Sequence, residues 1–306
     1  MTDNTGKTPP EGFRCGFVAL CGAPNVGKST LLNRLVADKV AITSPKPQTT
    51  RHRLLGVVNL PQAQILFLDA PGLMEPTSLL NENLVKTALS ALSEADVVVW
   101  LVTPQEQGAP REQILSQVRQ AGKPLIIAIN KIDTVPKPHI LPLMEKYHSL
   151  WPQAPIVPIA ALSGDGLTAL LQEICRYLPE APPFYPEDLL TDQAERFLAA
   201  EFIRERVFHH TSQEIPYAAA VQIEEFDERE RPRLVKIRAI IFVERDSQKA
   251  IVIGKKGSRL KMIGQEAREE LENLLDCKIF LELWVKVWKN WRKDPRALRE
   301  LGYVIS

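Results

Sequence analysis

The eight residues Gly22-Ala23-Pro24-Asn25-Val26-Gly27-Lys28-Ser29 restrict the fold of this chain more tightly than any other stretch. They fit the pattern G-x-x-x-x-G-K-[ST], with the apolar run Phe17-Val18-Ala19-Leu20-Cys21 ahead of them and a helical pattern over 30–36 behind. A strand, a glycine-rich turn and a helix in that order form a cradle for an anion. The glycines let backbone N–H groups converge on phosphate oxygens, Lys28 adds a cationic charge, and the Ser29 hydroxyl is placed to ligate Mg²⁺. The positive end of the helix dipole points at the same anion. All eight residues are therefore candidate phosphate contacts.

The rest of the chain extends this unit. Apolar strand-like runs at 16–21, 54–59, 64–69, 97–103, 124–130 and 155–159 alternate with helical patterns at 29–37, 79–92, 112–119, 140–150 and 166–177. Strands this uniformly apolar, separated by helices, predict an α/β domain: a mostly parallel sheet with helices on both faces. The stretch Pro179-Glu180-Ala181-Pro182-Pro183-Phe184-Tyr185-Pro186-Glu187 ends the pattern, because its prolines cannot continue a helix and make a stiff connector. Beyond it come a helix over 193–209, a strand over 218–225, a polar hairpin over 226–231 and a strand over 234–243. The apolar run Ile251-Val252-Ile253, read as strand-like, leads into Gly254, and then follow a helix over 259–275 and a strand over 278–287. The order helix, strand, strand, helix, helix, strand predicts a smaller α+β module, although the run at 251–253 taken by itself reads as a strand. The expected organisation is a structureless lead-in over 1–12, a first domain over 13–180, a proline-rich linker over 181–192, and a second domain over 193–306 ending in a basic tail. The 306 residues suit about two domains.

Composition excludes several classes. Hydrophobic residues at 45% and charged residues at 25% are those of an ordinary soluble protein, and no apolar stretch is long enough to span a bilayer. Residues 1–10 lack the apolar core of a signal peptide. The cysteines (Cys15, Cys21, Cys175, Cys277) form no C-x-x-C pair, so neither a disulfide framework nor a zinc site is expected, and a cytoplasmic location fits. Cys21 and Cys175 sit in apolar patterns and are expected to pack as small hydrophobes.

Three further segments define the ligand. Leu66-Phe67-Leu68-Asp69-Ala70-Pro71-Gly72 ends a strand on an acid placed to hold Mg²⁺, and the Gly72 N–H can meet a γ-phosphate. In Asn130-Lys131-Ile132-Asp133 the Asp133 carboxylate can accept two N–H bonds from a guanine edge. Adenine offers the wrong donor pattern and would leave it unsatisfied. Asn130 can tie this loop to the phosphate loop, and the Lys131 stem can cover the base. Between these segments, Pro45-Lys46-Pro47-Gln48-Thr49-Thr50-Arg51-His52 reads as a switch loop whose threonine ligates Mg²⁺ only when γ-phosphate is present. The residues alone do not choose between Thr49 and Thr50.

In the second domain, Ile253-Gly254-Lys255-Lys256-Gly257 matches the G-x-x-G loop of a KH module, which clamps single-stranded nucleotides. Charge agrees: Lys255, Lys256, Arg259, Lys261 and Arg268 face one acid, Glu266, in this region. Further on, Lys286, Lys289, Arg292, Lys293, Arg296 and Arg299 interleave with Trp284, Trp288 and Trp291, a pattern suited to stacked single-stranded RNA. Trp284 lies in an apolar strand and is expected in the core.

Together, Gln48-Thr49-Thr50-Arg51-His52, Asp69-Ala70-Pro71-Gly72 and Asn130-Lys131-Ile132-Asp133 resemble the translation-factor-related GTPases, and specifically the Era family of bacterial ribosome-assembly GTPases. The resemblance runs from about Phe13 to Tyr303. It implies a P-loop GTPase domain followed by a type II KH domain, with GTP or GDP and Mg²⁺ as ligands and Thr50 rather than Thr49 on the metal beside Ser29 and Asp69. It implies recognition of the 3′ end of 16S ribosomal RNA in 30S subunit assembly, peripheral association with the inner membrane, and a monomer. The base-contacting loop of that family usually ends Ser-Ala-Leu; here it reads Ala160-Ala161-Leu162, and guanine O6 is expected to meet a backbone N–H, which any residue can supply. The RNA-contacting set implied is Ile253, Gly254, Lys255, Lys256, Gly257 and Arg259.

Hydrolysis poses a separate problem. Ras-type enzymes orient the attacking water with a glutamine just after Asp-x-x-Gly, and here that position is Leu73. Lys28, Thr50, Gly72 and Asn25 remain as the candidate catalytic set. Similar hydrophobic-substituted GTPases hold K⁺ with a phosphate-loop asparagine, the place Asn25 occupies; shaping the loop by capping backbone groups is its alternative role. Two rival readings are an RNA-binding module with nucleotide as a structural ligand, and an ATP-dependent small-molecule kinase.

Overall fold

A computed structural model describes residues 10–44, 46, 48–73, 76, 78–105, 112–228 and 234–304. The first nine residues of the expected lead-in and the tip of the expected hairpin, 229–231, lie outside them. Internal contacts divide the chain into two units. One comprises Met1–Ala41, Thr50–Glu75 and Leu84–Asp192; the other comprises Ile42–Thr49, Pro76–Asn83 and Gln193–Ser306.

In the first unit, strands β1 (Arg14–Gly22), β2 (Leu54–Leu60), β3 (Ala63–Asp69), β4 (Val97–Val102), β5 (Leu125–Ile129) and β6 (Ile156–Pro158) form one sheet in the order β2-β3-β1-β4-β5-β6. β2 runs antiparallel to β3, and the other neighbours are parallel. The helices are α1 (Lys28–Val36), α2 (Leu79–Glu94), α3 (Glu112–Gln120), α4 (Ile140–Leu150) and α5 (Leu167–Tyr177). Successive strand residues point to opposite faces, yet Val18, Ala19, Leu20 and Cys21 are all buried, so the sheet is covered on both sides. One face packs on Ala88, Ala91 and Leu92 of α2, Val118 of α3 and Tyr147 of α4. Trp100 of β4 meets the rings of Tyr147 and Trp151 edge-on.

The parallel register sets Leu20 beside Asp69, Gly22 beside Leu101, and Val102 beside Ile129. The loops after β1, β3 and β5 therefore emerge side by side at the carboxyl edge of the sheet, where α/β folds bind ligands. The proline-rich stretch is anchored on β2 and β3. Gln64, wholly buried, accepts from the N–H groups of Phe184 and Tyr185 and donates to the Tyr185 carbonyl. The Val57 N–H donates to the Leu190 carbonyl.

The second unit holds α6 (Glu195–His210), α7 (Ile215–Ala218), β7 (Ala220–Asp227), β8 (Leu234–Val243), α8 (Asp246–Ile253), α9 (Ser258–Leu275), β9 (Lys278–Val287) and α10 (Pro295–Glu300). Its sheet is ordered β7-β8-β9. β7 is antiparallel to β8, and β8 is parallel to β9 from Leu234↔Lys278 to Val243↔Val287. Parallel neighbours need a long crossover, which α8 and α9 supply. This is the expected α+β order, with a short extra helix, α7, that the sequence pattern did not mark.

Two expectations are corrected. Val252 and Ile253 end a helix and not a strand. Gln248, the fourth residue of that segment from Arg245, accepts the N–H groups of Glu244 and Arg245 and so caps the helix start. The buried Val252 then faces the core, and this packing overrides the β preference of branched residues. Trp284 is 53% exposed and not in the core. Alternation along β9 turns Ile279 and Val285 inward and Phe280, Trp284 and Lys286 outward. The fully buried tryptophan is instead Trp291 in the C-terminal stretch. Its indole N–H donates to the Ala218 carbonyl at 2.8 Å and its ring stacks on Tyr303.

Candidate nucleotide and RNA sites

The phosphate loop is shaped by close backbone approach. Gly22 and Gly27 have positive φ, and a Cβ on them would fall 2.4 Å from the Leu101 carbonyl oxygen and 2.4 Å from Asn130 Nδ2, respectively. Gly72 is equally confined, since a Cβ there would lie 2.8 Å from the Pro24 nitrogen. Ala70 and Pro71 are buried between the strand end and this contact. Asn25 also sits in the left-handed region at φ 65, and its carbonyl accepts the Lys131 ammonium at 2.7 Å. Lys28 folds back over the loop and donates to the carbonyls of Gly22 and Ala23 at 3.3 and 3.1 Å. Val26 is buried beneath it.

Three oxygen-bearing side chains converge below the loop. Ser29 Oγ lies 2.6 Å from Asp69 Oδ2 and 2.9 Å from Thr50 Oγ1. Thr49 points elsewhere, donating to the Lys46 carbonyl at 2.7 Å, so the geometry separates the two threonines. Asp69 is wholly buried, and its second oxygen, Oδ1, has no hydrogen-bond partner. Burial pushes its carboxyl up to about 6, against the opposing pull of Lys28 and of the Ser29 and Thr50 hydroxyls. An orphaned carboxylate oxygen beside two hydroxyls is a hard-oxygen donor set of the kind Mg²⁺ takes, and a cation there would repay the desolvation of Asp69.

Asn130 joins three loops. Its Nδ2 donates to the Val26 carbonyl at 2.7 Å, and its Oδ1 accepts the N–H groups of Lys131 and Ala161 at 2.8 and 2.9 Å. The Ala160 N–H is likewise committed, to the Asp165 carbonyl, and Ile132 donates to the Ile159 carbonyl. Asp133 is exposed in the 3₁₀ turn Ile132–Thr134. Leu73 turns away from the site: its side chain joins the core of the first unit and its N–H donates to the Gly22 carbonyl at 3.3 Å. Leu73 itself therefore offers no group to orient a water at the position of the Ras-type glutamine.

In the second unit the Gly254–Gly257 turn links α8 to α9. Gly254 and Gly257 have positive φ, and Lys255 and Lys256 are exposed at the tip. Ile253 closes α8 just ahead of them. Arg259 donates to the Ile251 carbonyl, so it staples the start of α9 to the end of α8. From this turn a groove of about 520 Å³ runs between α9 and the edge strand β9, lined by Leu260, Lys261, Gly264, Arg268, Phe280 and Leu283, among others. Gly264 keeps it narrow, because a Cβ there would meet the Leu283 side chain at 3.3 Å. Sequence reasoning missed Leu260, Gly264, Phe280 and Leu283. The signal for Phe280 was available, since it occupies an outward position in the period-2 pattern of β9.

Fold and site together define a class: a P-loop nucleotide-binding domain of the GTPase type followed by a KH module. A family model described as 50S ribosome-binding GTPase matches residues 17–131, and a KH domain model matches residues 214–292. The chain is 50% identical to GTPase Era of Geobacter metallireducens over 95% of its length and 98% of that protein's, and 45% identical to GTPase Era of Lactobacillus helveticus, covering 95% and 96%. It also matches the crystal structure of Aquifex aeolicus Era Y63A bound to GDP·AlF₄⁻, with a TM-score of 0.92 and 45% identity over 96% of this chain and all of that one. A structure of Era with MgGDPNP and nucleotides 1506–1542 of 16S ribosomal RNA matches equally, with a TM-score of 0.92. The chain belongs to the Era family of GTPases.

Proposed function

We propose that the chain is a GTP-hydrolysing switch that binds the 3′ end of 16S ribosomal RNA and acts in assembly of the 30S subunit. The observation that carries the nucleotide half is the convergence of Ser29, Thr50 and buried Asp69 beneath the phosphate loop. The observation that carries the RNA half is the cationic G-x-x-G turn opening onto the α9–β9 groove. The relative solved with GDPNP and rRNA nucleotides supports joining them.

On this reading the loop N–H groups and Lys28 bind the phosphates, moving the ammonium from the loop carbonyls to the β- and γ-oxygens. Ser29, Thr50 and Asp69 would hold Mg²⁺, and the chemistry it would supply there is neutralisation of charge on the phosphoryl group. The Gly72 N–H meets the γ-phosphate, and Asp133 reads the guanine edge, with Lys131 and Ile132 bordering the base. Guanine O6 would compete with Asn130 Oδ1 for the Ala161 N–H, since the Ala160 N–H is already given to the Asp165 carbonyl. With Leu73 in the core, water is not oriented by a side chain of that position, so intrinsic turnover is slow. The αL conformation of Asn25 supports its loop-shaping role, and K⁺ held by its side chain is the second part of this proposal.

GTP orders Thr50 and the segment after Gly72, RNA occupies the KH groove, and each raises affinity for the other by linkage. A monomer in the cytoplasm, peripherally associated with the inner membrane, follows from the family resemblance. Among the described residues no helix is long and apolar enough to cross a membrane.

The test is phosphate release from GTP and ATP, in K⁺ and in Na⁺, with and without a single-stranded RNA matching the 16S 3′ end. Turnover is expected with GTP alone, rising with RNA, faster in K⁺, and losing its K⁺ preference in Asn25→Ala. Asp133→Ala is expected to weaken GTP binding about 100-fold, the size of two charge-assisted hydrogen bonds. Turnover of ATP at the GTP rate would support the kinase reading, and absence of turnover would support a structural nucleotide.

A further inference from the structure

The segment Ile42–Thr49, which leads into the switch threonine, belongs to the second unit. Ile42 is 2% exposed and joins the same apolar cluster as Ala199, Phe202 and Ile203 of α6. Three charged groups then fix the segment to that helix. Glu205 accepts the Thr43 N–H at 2.7 Å, Lys46 donates to the carbonyls of Phe208 and Thr211 at the helix end, and Arg204 donates to the Thr49 carbonyl. The Lys46 contact places a cation at the negative end of the helix dipole. The next residue, Thr50, belongs to the first unit and carries its hydroxyl to Ser29.

Arg204 is the unusual member. It is wholly buried, pairs with Glu201 through both Nε and Nη2, and lies over the Phe208 ring. Burial opposes its charge, and Glu201, with smaller contributions from Tyr303 and Glu205, more than offsets this, so the guanidinium stays cationic. Its Nη1 is nevertheless buried without a partner. A buried ion pair is a poor stabiliser compared with packed apolar groups, and one with an orphaned donor is poorer still. What Arg204 provides that an apolar residue could not is a rigid donor on the Thr49 carbonyl. That carbonyl and the Thr50 N–H share one planar peptide group, so fixing the oxygen fixes the plane from which the Thr50 side chain projects.

We propose that Arg204 is a positioning residue for GTP hydrolysis: it touches neither nucleotide nor metal, and holds the Thr49–Thr50 peptide so that the Thr50 hydroxyl reaches the Mg²⁺ site. This rests on the assignment of Thr50 as a γ-phosphate-dependent Mg²⁺ ligand.

The experiment uses the full-length chain as wild type, Arg204→Met, Arg204→Lys and Thr50→Val. The Mg²⁺ concentration for half-maximal binding is measured with GDPNP and with GDP, alongside kcat and KM for GTP. Arg204→Met is expected to raise the Mg²⁺ requirement for GDPNP and lower kcat, each about tenfold, the size of one charge-assisted hydrogen bond. GDP binding is expected unchanged, and Arg204→Lys is expected to recover part of the loss. A Met variant with wild-type kcat and Mg²⁺ requirement, or one weakened equally for GDP and GDPNP, overturns the proposal. If Arg204→Met does not fold, Arg204→Lys decides by the same comparison: a requirement shifted for GDPNP alone supports the proposal, and none overturns it. Thr50→Val separates the two layers, because an unchanged Mg²⁺ requirement there refutes the underlying ligand assignment instead.

Discussion

At the nucleotide site, individual polar atoms have little slack. Asn130 spends its amide on Val26, Lys131 and Ala161, so one short side chain holds the phosphate loop, the base loop and the loop after β6 in register. Asp69 is the opposite case, a buried acid with one oxygen that has no hydrogen-bond partner. A third kind of residue, Glu266 of α9, responds to pH. Partial burial raises its carboxyl, but the hydrogen bond and charge of His210 and the Arg206 guanidinium outweigh this and hold it below its ordinary value of 4.5. A carboxylate whose folded value is depressed stabilises the fold above its unfolded value, and that contribution is lost as pH falls through the folded value. Glu266→Gln is therefore expected to lower the melting temperature at pH 7 and to lose that difference as pH falls below the ordinary 4.5 and through the depressed folded value. Melting curves of both proteins across that range check it; a constant difference would contradict it.

Among the elements, β9 shows best how far sequence goes and where it stops. Its limits, Lys278–Val287, were legible from composition, but its facing was not. An apolar strand with a tryptophan reads as core until the period-2 register is fixed, and only pairing with β8 fixes it. Trp284 then lies outside and Trp291, read among basic tail residues, lies inside against Ala218 and Tyr303. Trp291→Ala is expected to destabilise the second unit by about 3–5 kcal/mol, whereas Trp284→Ala should cost less than about 1 kcal/mol. Urea unfolding of the two variants measures the contrast, and equal losses would contradict the assigned facing. The first unit was more legible because its strands are apolar on both faces and cannot be misfaced. Helix α8 was obscured because Val252 and Ile253 favour strands locally, and only packing overrules them. The groove along α9 was hidden for a simpler reason: Gly264 acts by lacking a side chain, and nothing in its own sequence position marks that.

For the whole molecule, the division into units does not follow the order of the chain. Residues 42–49 and 76–83, which lie next to Thr50 and after Gly72, group with the KH-containing unit. No alignment of motifs predicts this, because it arises from contacts between residues more than a hundred positions apart, such as Thr43 with Glu205. On the function proposed above, the segment leading into the γ-phosphate-dependent Thr50 is grouped with the unit that carries the KH module, which is the basis on which coupling between GTP and RNA is expected. Coupling of this kind is reciprocal and is a difference in binding free energy. The direct measurement is the dissociation constant of GDPNP, in Mg²⁺, with and without saturating RNA of the 16S 3′ end, together with the RNA constant with and without GDPNP. The two ratios should be equal and about five- to 150-fold, the usual range of such coupling; identical GDPNP affinities with and without RNA would contradict the switch.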